Sequence, residues 1–139
     1  MAYDPTNIFA RILRGEIPCH KVYEDQQTLA FMAIMPQVDG HTLVIPKAAG
    51  ENIFDLPPEA LSATILTTQR IARAVKKAFD APGIMVVQLN GTAAGQSVFH
   101  LHFHVAPRHE GRDLGMHAGD MADPAVLAGH AARIRAALD

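Results

Sequence analysis

The segment from Val98 to Pro107 alternates histidine with apolar residues, and it constrains the fold more than any other part of the chain. Its centre reads His100-Leu-His-Phe-His104-Val. Because successive side chains of a β-strand point to opposite faces, this pattern predicts a strand with three imidazoles on one face and Leu101, Phe103 and Val105 on the other. The apolar face must pack on a core, which leaves the histidine face for another purpose.

The remaining pattern predicts an α+β fold on an antiparallel sheet. Four more β-favouring stretches cover residues 21–24, 28–31, 41–45 and 84–89, and helical spacing covers 7–14, 58–79 and 124–138. The strands come mostly as sequence neighbours, with one long helix between the third and fourth, so we expect five antiparallel strands. One edge of such a sheet could pair with a second subunit.

Two helical stretches carry apolar stripes that predict their buried faces. The long helix is expected to bury Leu61, Ile65, Ala72, Val75 and Phe79, and the last helix Leu127, Ala131, Ile134 and Leu138. The length of 139 residues predicts one domain, with a core at about 7–108 and a C-terminal extension at 109–139 that ends in the last helix. The tail histidines His109, His117 and His130 are interpreted as surface residues.

Composition excludes several classes of protein. A net charge of −2, from 12 basic and 14 acidic side chains, gives no support for nucleic-acid binding. No apolar run is long enough for a membrane span, and Met1 to Asp4 do not begin a signal peptide. The single cysteine, Cys19, excludes an intramolecular disulfide and a cysteine-rich zinc site, so we expect a reducing cytoplasm.

The histidine face has three readings from the residues alone. It is a solvated face, a metal site, or a site of nucleophilic and acid–base chemistry. One ion cannot bind all three rings, because His100 and His104 would lie about 13 Å apart along the strand. Two of them with His41 could hold a metal ion. The loop from Asn90 to Ser97, with its amides, glycines and hydroxyl, offers groups that suit a phosphate and a leaving group.

The run from Gly95 to Ala106 resembles the signature of the histidine triad (HIT) superfamily, in which three histidines alternate with hydrophobic residues and end in a hydrophobic pair. The segments upstream are similar to the nucleotide-binding, HINT-type branch. They are Asn7-Ile-Phe, Gly15-Glu-Ile-Pro18, Val22-Tyr-Glu-Asp25, Leu29-Ala-Phe31 and Gly40-His-Thr-Leu-Val-Ile-Pro-Lys47. The likeness runs from about Asn7 to Arg108.

The resemblance implies a homodimer with one continuous sheet that binds purine nucleotides and hydrolyses nucleoside 5′-phosphoramidates or related nucleotidyl conjugates, without a metal or cofactor. His102 would attack the α-phosphorus and form a nucleotidyl-histidine. The implied catalytic set also includes His104, His100, His41 and Ser97. The implied nucleotide-binding set is Asn90, Gly95, Gln96, Ser97, Ile34, Phe31, His102 and His104. A nucleotide-binding regulatory module with incidental turnover and a dinucleoside polyphosphate hydrolase remain as alternatives.

This chain departs from the family pattern at the position that binds the ribose and at the positions that bind a structural zinc. Many relatives have an aspartate that binds the ribose hydroxyls where this chain has Ala33, so weaker ribose binding is expected. Many bacterial relatives bind a structural zinc through two cysteines and a histidine. The corresponding positions here are Asn7, Ala10 and Ala49, so no structural zinc is expected.

Overall fold

The computed structural model describes residues 2–112 and 120–139, which form three α-helices and five strands. The helices are α1 (Ile8–Leu13), α2 (Pro58–Ala78) and α3 (Pro124–Ala137). The strands are β1 (Lys21–Glu24), β2 (Thr28–Met32), β3 (Thr42–Pro46), β4 (Gly83–Gln88) and β5 (Phe103–Arg108). A short 3₁₀ turn covers Thr92–Ala94. No helix of these ranges combines the length and apolar character that a membrane span requires.

The five strands form one sheet in the order β1-β2-β3-β5-β4, and every neighbouring pair is antiparallel. The predicted α+β class with a five-stranded antiparallel sheet is therefore confirmed. β3 and β5 are neighbours although α2 and β4 separate them in the sequence, and Leu43 lies directly opposite His104. Side chains that lie opposite each other in a ladder share a face, so His104 lies on the face of Leu43.

The two faces of the sheet bury two different cores. On one face Val44, Phe103 and Val105 pack with residues of α2 and α3. On the other face Leu43 and Ile45 pack with Phe31, Ala33 and Phe9, and Phe9 belongs to α1. The alternation predicted for the histidine segment holds, because Leu101, Phe103 and Val105 belong to the helix-covered core. His102 and His104 thus lie on the side of the sheet that carries the short helix α1.

The buried face of α2 differs from the predicted stripe. Its buried residues are Thr64, Thr67, Thr68, Ile71, Ala74 and Val75, whereas Ile65 is 44% exposed. The Thr64 and Thr68 hydroxyls donate to carbonyls one turn earlier, which satisfies them inside the helix and leaves their methyl groups for packing. A count of apolar residues therefore misses this face, because threonines serve here as core residues.

The C-terminal helix α3 is part of the main core and not an appendage. It begins at Pro124 as predicted, and Leu127, Ala131 and Ile134 are buried in the core with α2. Leu138 follows the end of the helix and is half-buried. Arg135 donates to the Lys21 carbonyl at 2.6 Å, which also ties α3 to β1.

The tail histidines have different surroundings. His130 is half-buried, and its ring meets Phe79 edge to face, with centroids 5.2 Å apart. His109 is half-buried just after β5. His117 lies outside the described residues.

Candidate functional site

The histidine segment is only partly a strand. The predicted strand from Val98 to Pro107 is too long, because β5 begins at Phe103 and residues 98–102 are irregular. Two backbone groups of residues 98–102 bond to loops instead of a neighbouring strand. The Leu101 amide donates to the Gly50 carbonyl at 2.9 Å, and the Val98 carbonyl accepts from the Gln96 side chain. His100 and His102 thus lie before the sheet, and His104 lies in it.

An open cleft of about 410 Å³ lies on the α1 side of the sheet. Its polar lining is Gln37, His41, Ser97, His102 and His104, and most of its other lining residues are apolar, among them Ile8, Phe9, Phe31 and Ile34. Among the described residues that line it there is no Lys, Arg, Asp or Glu. The side chains that these lining residues offer to an anion are therefore neutral donors.

His102 is held so that one ring nitrogen is left free. Its Nδ1 lies 2.7 Å from the His100 carbonyl oxygen, and because a carbonyl only accepts, Nδ1 carries the proton. Nε2 of this neutral ring then has the lone pair. No described side-chain nitrogen or oxygen is both buried and unpartnered, so Nε2 reaches the open cleft. The Phe9 ring packs edge-on against His102 at 4.9 Å and restrains its plane.

His41 and His104 form a hydrogen-bonded relay that fixes the tautomer of both rings and leaves the Nε2–H of His104 as a donor. The Gln37 amide donates to Nδ1 of His41 at 3.2 Å, so Nε2 of His41 carries the proton. That Nε2 lies 3.0 Å from Nδ1 of His104 and donates to it, which places the proton of His104 on its Nε2. The His102 and His104 rings are 4.9 Å apart. The cleft therefore presents a nucleophilic nitrogen beside an N–H donor.

His100 does not line the cleft and lies behind His102. Its Nε2 is 2.8 Å from the Pro46 carbonyl and its Nδ1 is 2.6 Å from the Tyr3 hydroxyl. Sequence reasoning missed Tyr3, and also Gln37, which acts through its backbone amide. No periodic pattern includes Tyr3, and a backbone donor leaves no trace in residue type, so neither could be found from the sequence alone.

Burial keeps the four histidines neutral. It lowers the pKa of His41 to about 4 and that of His104 to about 3, and a charge on His102 adds to both effects. Burial also lowers the pKa of His100 and of His102, while the carbonyl that each ring donates to opposes the shift. At neutral pH the site thus acts through lone pairs and neutral donors.

The lowered pKa values predict that the fold loses stability in mild acid. The unfolded chain takes up protons on these histidines near pH 6.5 and the folded chain does not, so stability is full above pH 6.5 and falls below it. For His41 alone, with a pKa of about 4, we expect a loss of about 2 kcal/mol between pH 7 and pH 5. Urea unfolding at both pH values, with His41→Gln compared against the control His109→Gln, measures this. An equal change in the free energy of unfolding between pH 7 and pH 5 in both variants would contradict the prediction.

The loop from Asn90 to Ser97 places its predicted residues differently. Gly95 and Ser97 line the cleft, and the Ser97 hydroxyl has no partner among the described residues. The buried Gln96 side chain instead accepts from the Gly91 amide and donates to the Glu51 carbonyl. The Asn90 side chain bonds to the Ile53 amide and to Gln88. Gln96 and Asn90 therefore brace the loop beside the cleft, and their contact with a nucleotide stays a prediction.

In residues 2–112 and 120–139, no group of three or more His, Cys, Asp or Glu is arranged to hold a metal ion. His41 and His104 direct a ring nitrogen at each other, and His102 directs Nδ1 at a carbonyl. These rings therefore do not converge on a common point.

Comparison with known proteins identifies the family. The model of the HIT domain matches residues 14–111, which is most of the chain. The chain belongs to the HIT domain family. A Hit-like protein from Bartonella henselae, solved by crystallography, is 51% identical to this HIT protein, with a TM-score of 0.93 over 99% of this chain and 100% of that one.

Two relatives of this HIT protein have named activities. The adenosine 5′-monophosphoramidase HNT1 of Saccharomyces cerevisiae is 37% identical over 77% of this chain and 65% of its own length. The adenylylsulfatase HINT3 of Arabidopsis thaliana is 38% identical over 74% of this chain and 52% of its own length. The family of this protein thus includes hydrolases of nucleotide conjugates.

Proposed function

We propose that this HIT protein hydrolyses nucleoside 5′-phosphoramidates or related nucleotidyl conjugates, with His102 as the nucleophile. One observation carries the proposal. Nδ1 of His102 donates to the His100 carbonyl, which leaves the Nε2 lone pair in an open cleft beside the Nε2–H of His104. A nucleophilic imidazole needs this arrangement, with one nitrogen free and the other held by an acceptor.

The proposed reaction has two displacements at phosphorus. Nε2 of His102 forms a bond to the α-phosphorus while the P–N bond to the leaving amine breaks, and the amine takes up a proton as it leaves. Ser97 lines the cleft, and in this proposal its hydroxyl transfers that proton. Water then attacks the same phosphorus and gives a proton back to Ser97, and the P–N bond to His102 breaks to release the nucleoside monophosphate and restore the neutral ring. The His104 donor and loop amides would stabilise charge on the phosphoryl oxygens.

Two groups of substrates are favoured by the named relatives. The yeast relative suggests an adenosine phosphoramidate, and the plant relative suggests adenylylsulfate. Both would present an adenylyl phosphorus to the same nitrogen, and the apolar walls formed by Ile8, Phe31 and Ile34 suit a purine base. A binding module with incidental turnover is the competing function, because the apolar walls and neutral donors of this cleft would also hold a nucleotide without attack by His102.

The test is release of AMP from adenosine 5′-phosphoramidate, adenylylsulfate and a diadenosine polyphosphate, each with wild type and with His102→Ala. Release that depends on His102 supports the proposal, and the relative rates rank the three substrate groups. Tight binding of AMP without His102-dependent release from any of them would favour the binding module.

The Ala33 position predicts the strength of ribose binding. Ala33 lies at the wall of the cleft, packed with Phe31 and Leu43, and offers no acceptor for a sugar hydroxyl. We expect Ala33→Asp to tighten AMP binding by about 1.5–3 kcal/mol, since a carboxylate there would accept charge-assisted hydrogen bonds. Calorimetry with AMP measures this, and 2′,3′-dideoxy-AMP is the matched control that should show no gain. Equal AMP affinity in both proteins would refute the prediction.

The homodimer stays a prediction. The strand β4 forms one edge of the sheet, with β5 on one side only, and its Val86 is exposed. We propose this edge as the place where a second copy would continue the sheet.

A further inference from the structure

The peptide group that orients His102 lies outside the sheet. The His100 carbonyl accepts the Nδ1 proton of His102 at 2.7 Å, yet β5 begins only at Phe103. No strand ladder holds this carbonyl in place. The peptide is held on its other side by the Leu101 amide, which donates to the Gly50 carbonyl at 2.9 Å. Its remaining anchor is the side chain of His100.

The His100 ring is held at both nitrogens and is only 1% exposed. Nε2 lies 2.8 Å from the Pro46 carbonyl at the end of β3, so Nε2 must donate. In the neutral ring Nδ1 then has a lone pair, and the Tyr3 hydroxyl donates to it at 2.6 Å. Tyr3 therefore stabilises the one tautomer of His100 that also bonds to Pro46.

Tyr3 is itself held by the segment that leads into α1. The Asn7 side chain donates to the Asp4 carbonyl at 2.8 Å, and Arg14 donates to the Pro5 carbonyl at 2.8 Å. The Tyr3 ring also meets the His100 ring at a steep angle, with centroids 5.7 Å apart. The same N-terminal region supplies Phe9, which packs on His102 itself.

We propose that Tyr3 is a positioning residue for the attacking histidine: its hydroxyl fixes the tautomer and orientation of His100, and through the His100 carbonyl the free Nε2 of His102. The activity part of this inference rests on the proposed function, and the structural part does not. A ring that loses its partner at Nδ1 is free to exchange tautomers or turn, and the carbonyl attached to it moves with it. At metal sites, loss of a partner that orients a ligating histidine lowers metal affinity or activity by about 10–100-fold, and we expect an effect of this size here.

The structural part is tested by two-bond ¹H–¹⁵N NMR of the imidazoles in the full chain, which distinguishes the two neutral tautomers. Wild type should show His100 protonated at Nε2 and His102 at Nδ1. In Tyr3→Phe, which keeps the aromatic ring, we expect the His100 signals to become mixed and the His102 Nδ1–H signal to weaken. The control is Tyr23→Phe. It also removes a hydrogen-bonded hydroxyl, but one that lies on the edge strand β1 and bonds to Asp25 and Arg70.

The activity part is tested by AMP release from adenosine 5′-phosphoramidate. We expect Tyr3→Phe to lower kcat about tenfold or more with KM nearly unchanged, and Tyr23→Phe to change neither. Unchanged tautomers in Tyr3→Phe, or altered tautomers with an unchanged kcat, would overturn the proposal. If wild type itself releases no AMP, the proposed function fails separately, and the His102 Nδ1–H signal alone decides whether Tyr3 positions the ring.

Discussion

Replacement of His102 by alanine is expected to lower kcat for AMP release by about 10⁴-fold or more, because the variant has no nitrogen that can bond to phosphorus. In this site no other imidazole can take over the role. Nε2 of His104 carries a proton in the relay from His41, and His100 has both nitrogens engaged behind the cleft wall. Loss of a nucleophile in comparable enzymes costs 10⁴–10⁶-fold, about 5–8 kcal/mol of transition-state stabilisation.

A second substitution separates lost chemistry from lost structure. His102→Asn can still donate to the His100 carbonyl but has no nucleophilic nitrogen, so we expect it to be as inactive as alanine while AMP binding by calorimetry stays within a few-fold. His109→Ala is the matched control, because His109 lies outside the cleft. Mass spectrometry of acid-quenched wild type should show an adenylyl adduct that both His102 variants lack. Retention of more than a tenth of the wild-type rate by either His102 variant would exclude His102 as the nucleophile.

Truncation of Ile134 in the C-terminal helix is expected to destabilise the whole protein by about 2–5 kcal/mol. Its side chain is fully buried in the core that α2 and α3 share with the sheet, and Ile71 and Val75 of α2 belong to the same cluster. Removal of three carbons from such a site loses burial and leaves a cavity that the fixed helices cannot fill. Chemical unfolding of Ile134→Ala against wild type measures the change.

Val126, on the same helix, provides the control for this experiment. It lies on α3 but is 45% exposed, so Val126→Ala should change the free energy of unfolding by less than about 0.5–1 kcal/mol. A similarly small loss in Ile134→Ala would mean that α3 is an appendage. The segment before α3 also contacts the wall of the cleft, because the Ala122 amide donates to the Ile34 carbonyl at 2.9 Å. Ile134 itself does not line the cleft. At a temperature where Ile134→Ala stays folded, we therefore expect its kcat to equal that of wild type.

The predictions that succeeded rest on short-range patterns. The alternation of histidine with apolar residues correctly predicted that Leu101, Phe103 and Val105 enter the core under the helices and that His102 and His104 lie on the opposite side, in the cleft. Pro124 after Asp123 marks the start of a helix, because proline suits the first turn and aspartate caps it. The prediction of the buried face of α2 was partly wrong, because burial of a polar residue depends on long-range contacts. Whether a threonine is buried depends on where its hydroxyl bonds, and Thr67 finds Thr28 across the helix–sheet interface at 2.8 Å.

The sequence by itself determined the type of sheet, which follows from the order of the elements along the chain. It also determined the side that carries the imidazoles, which follows from the period of one segment, and the residue types available for chemistry. Only the tertiary structure decided which nitrogen of each ring is free. For His104 and His100 that choice depends on partners far away in the chain: His41 for His104, Pro46 for His100, and Tyr3, which lies 97 residues from His100. His102 and His41 instead bond to the backbone of nearby residues, in local conformations that the fold holds in place. A tautomer is set by a hydrogen bond, and these bonds exist only after the sheet, α1 and the N-terminal segment have come together.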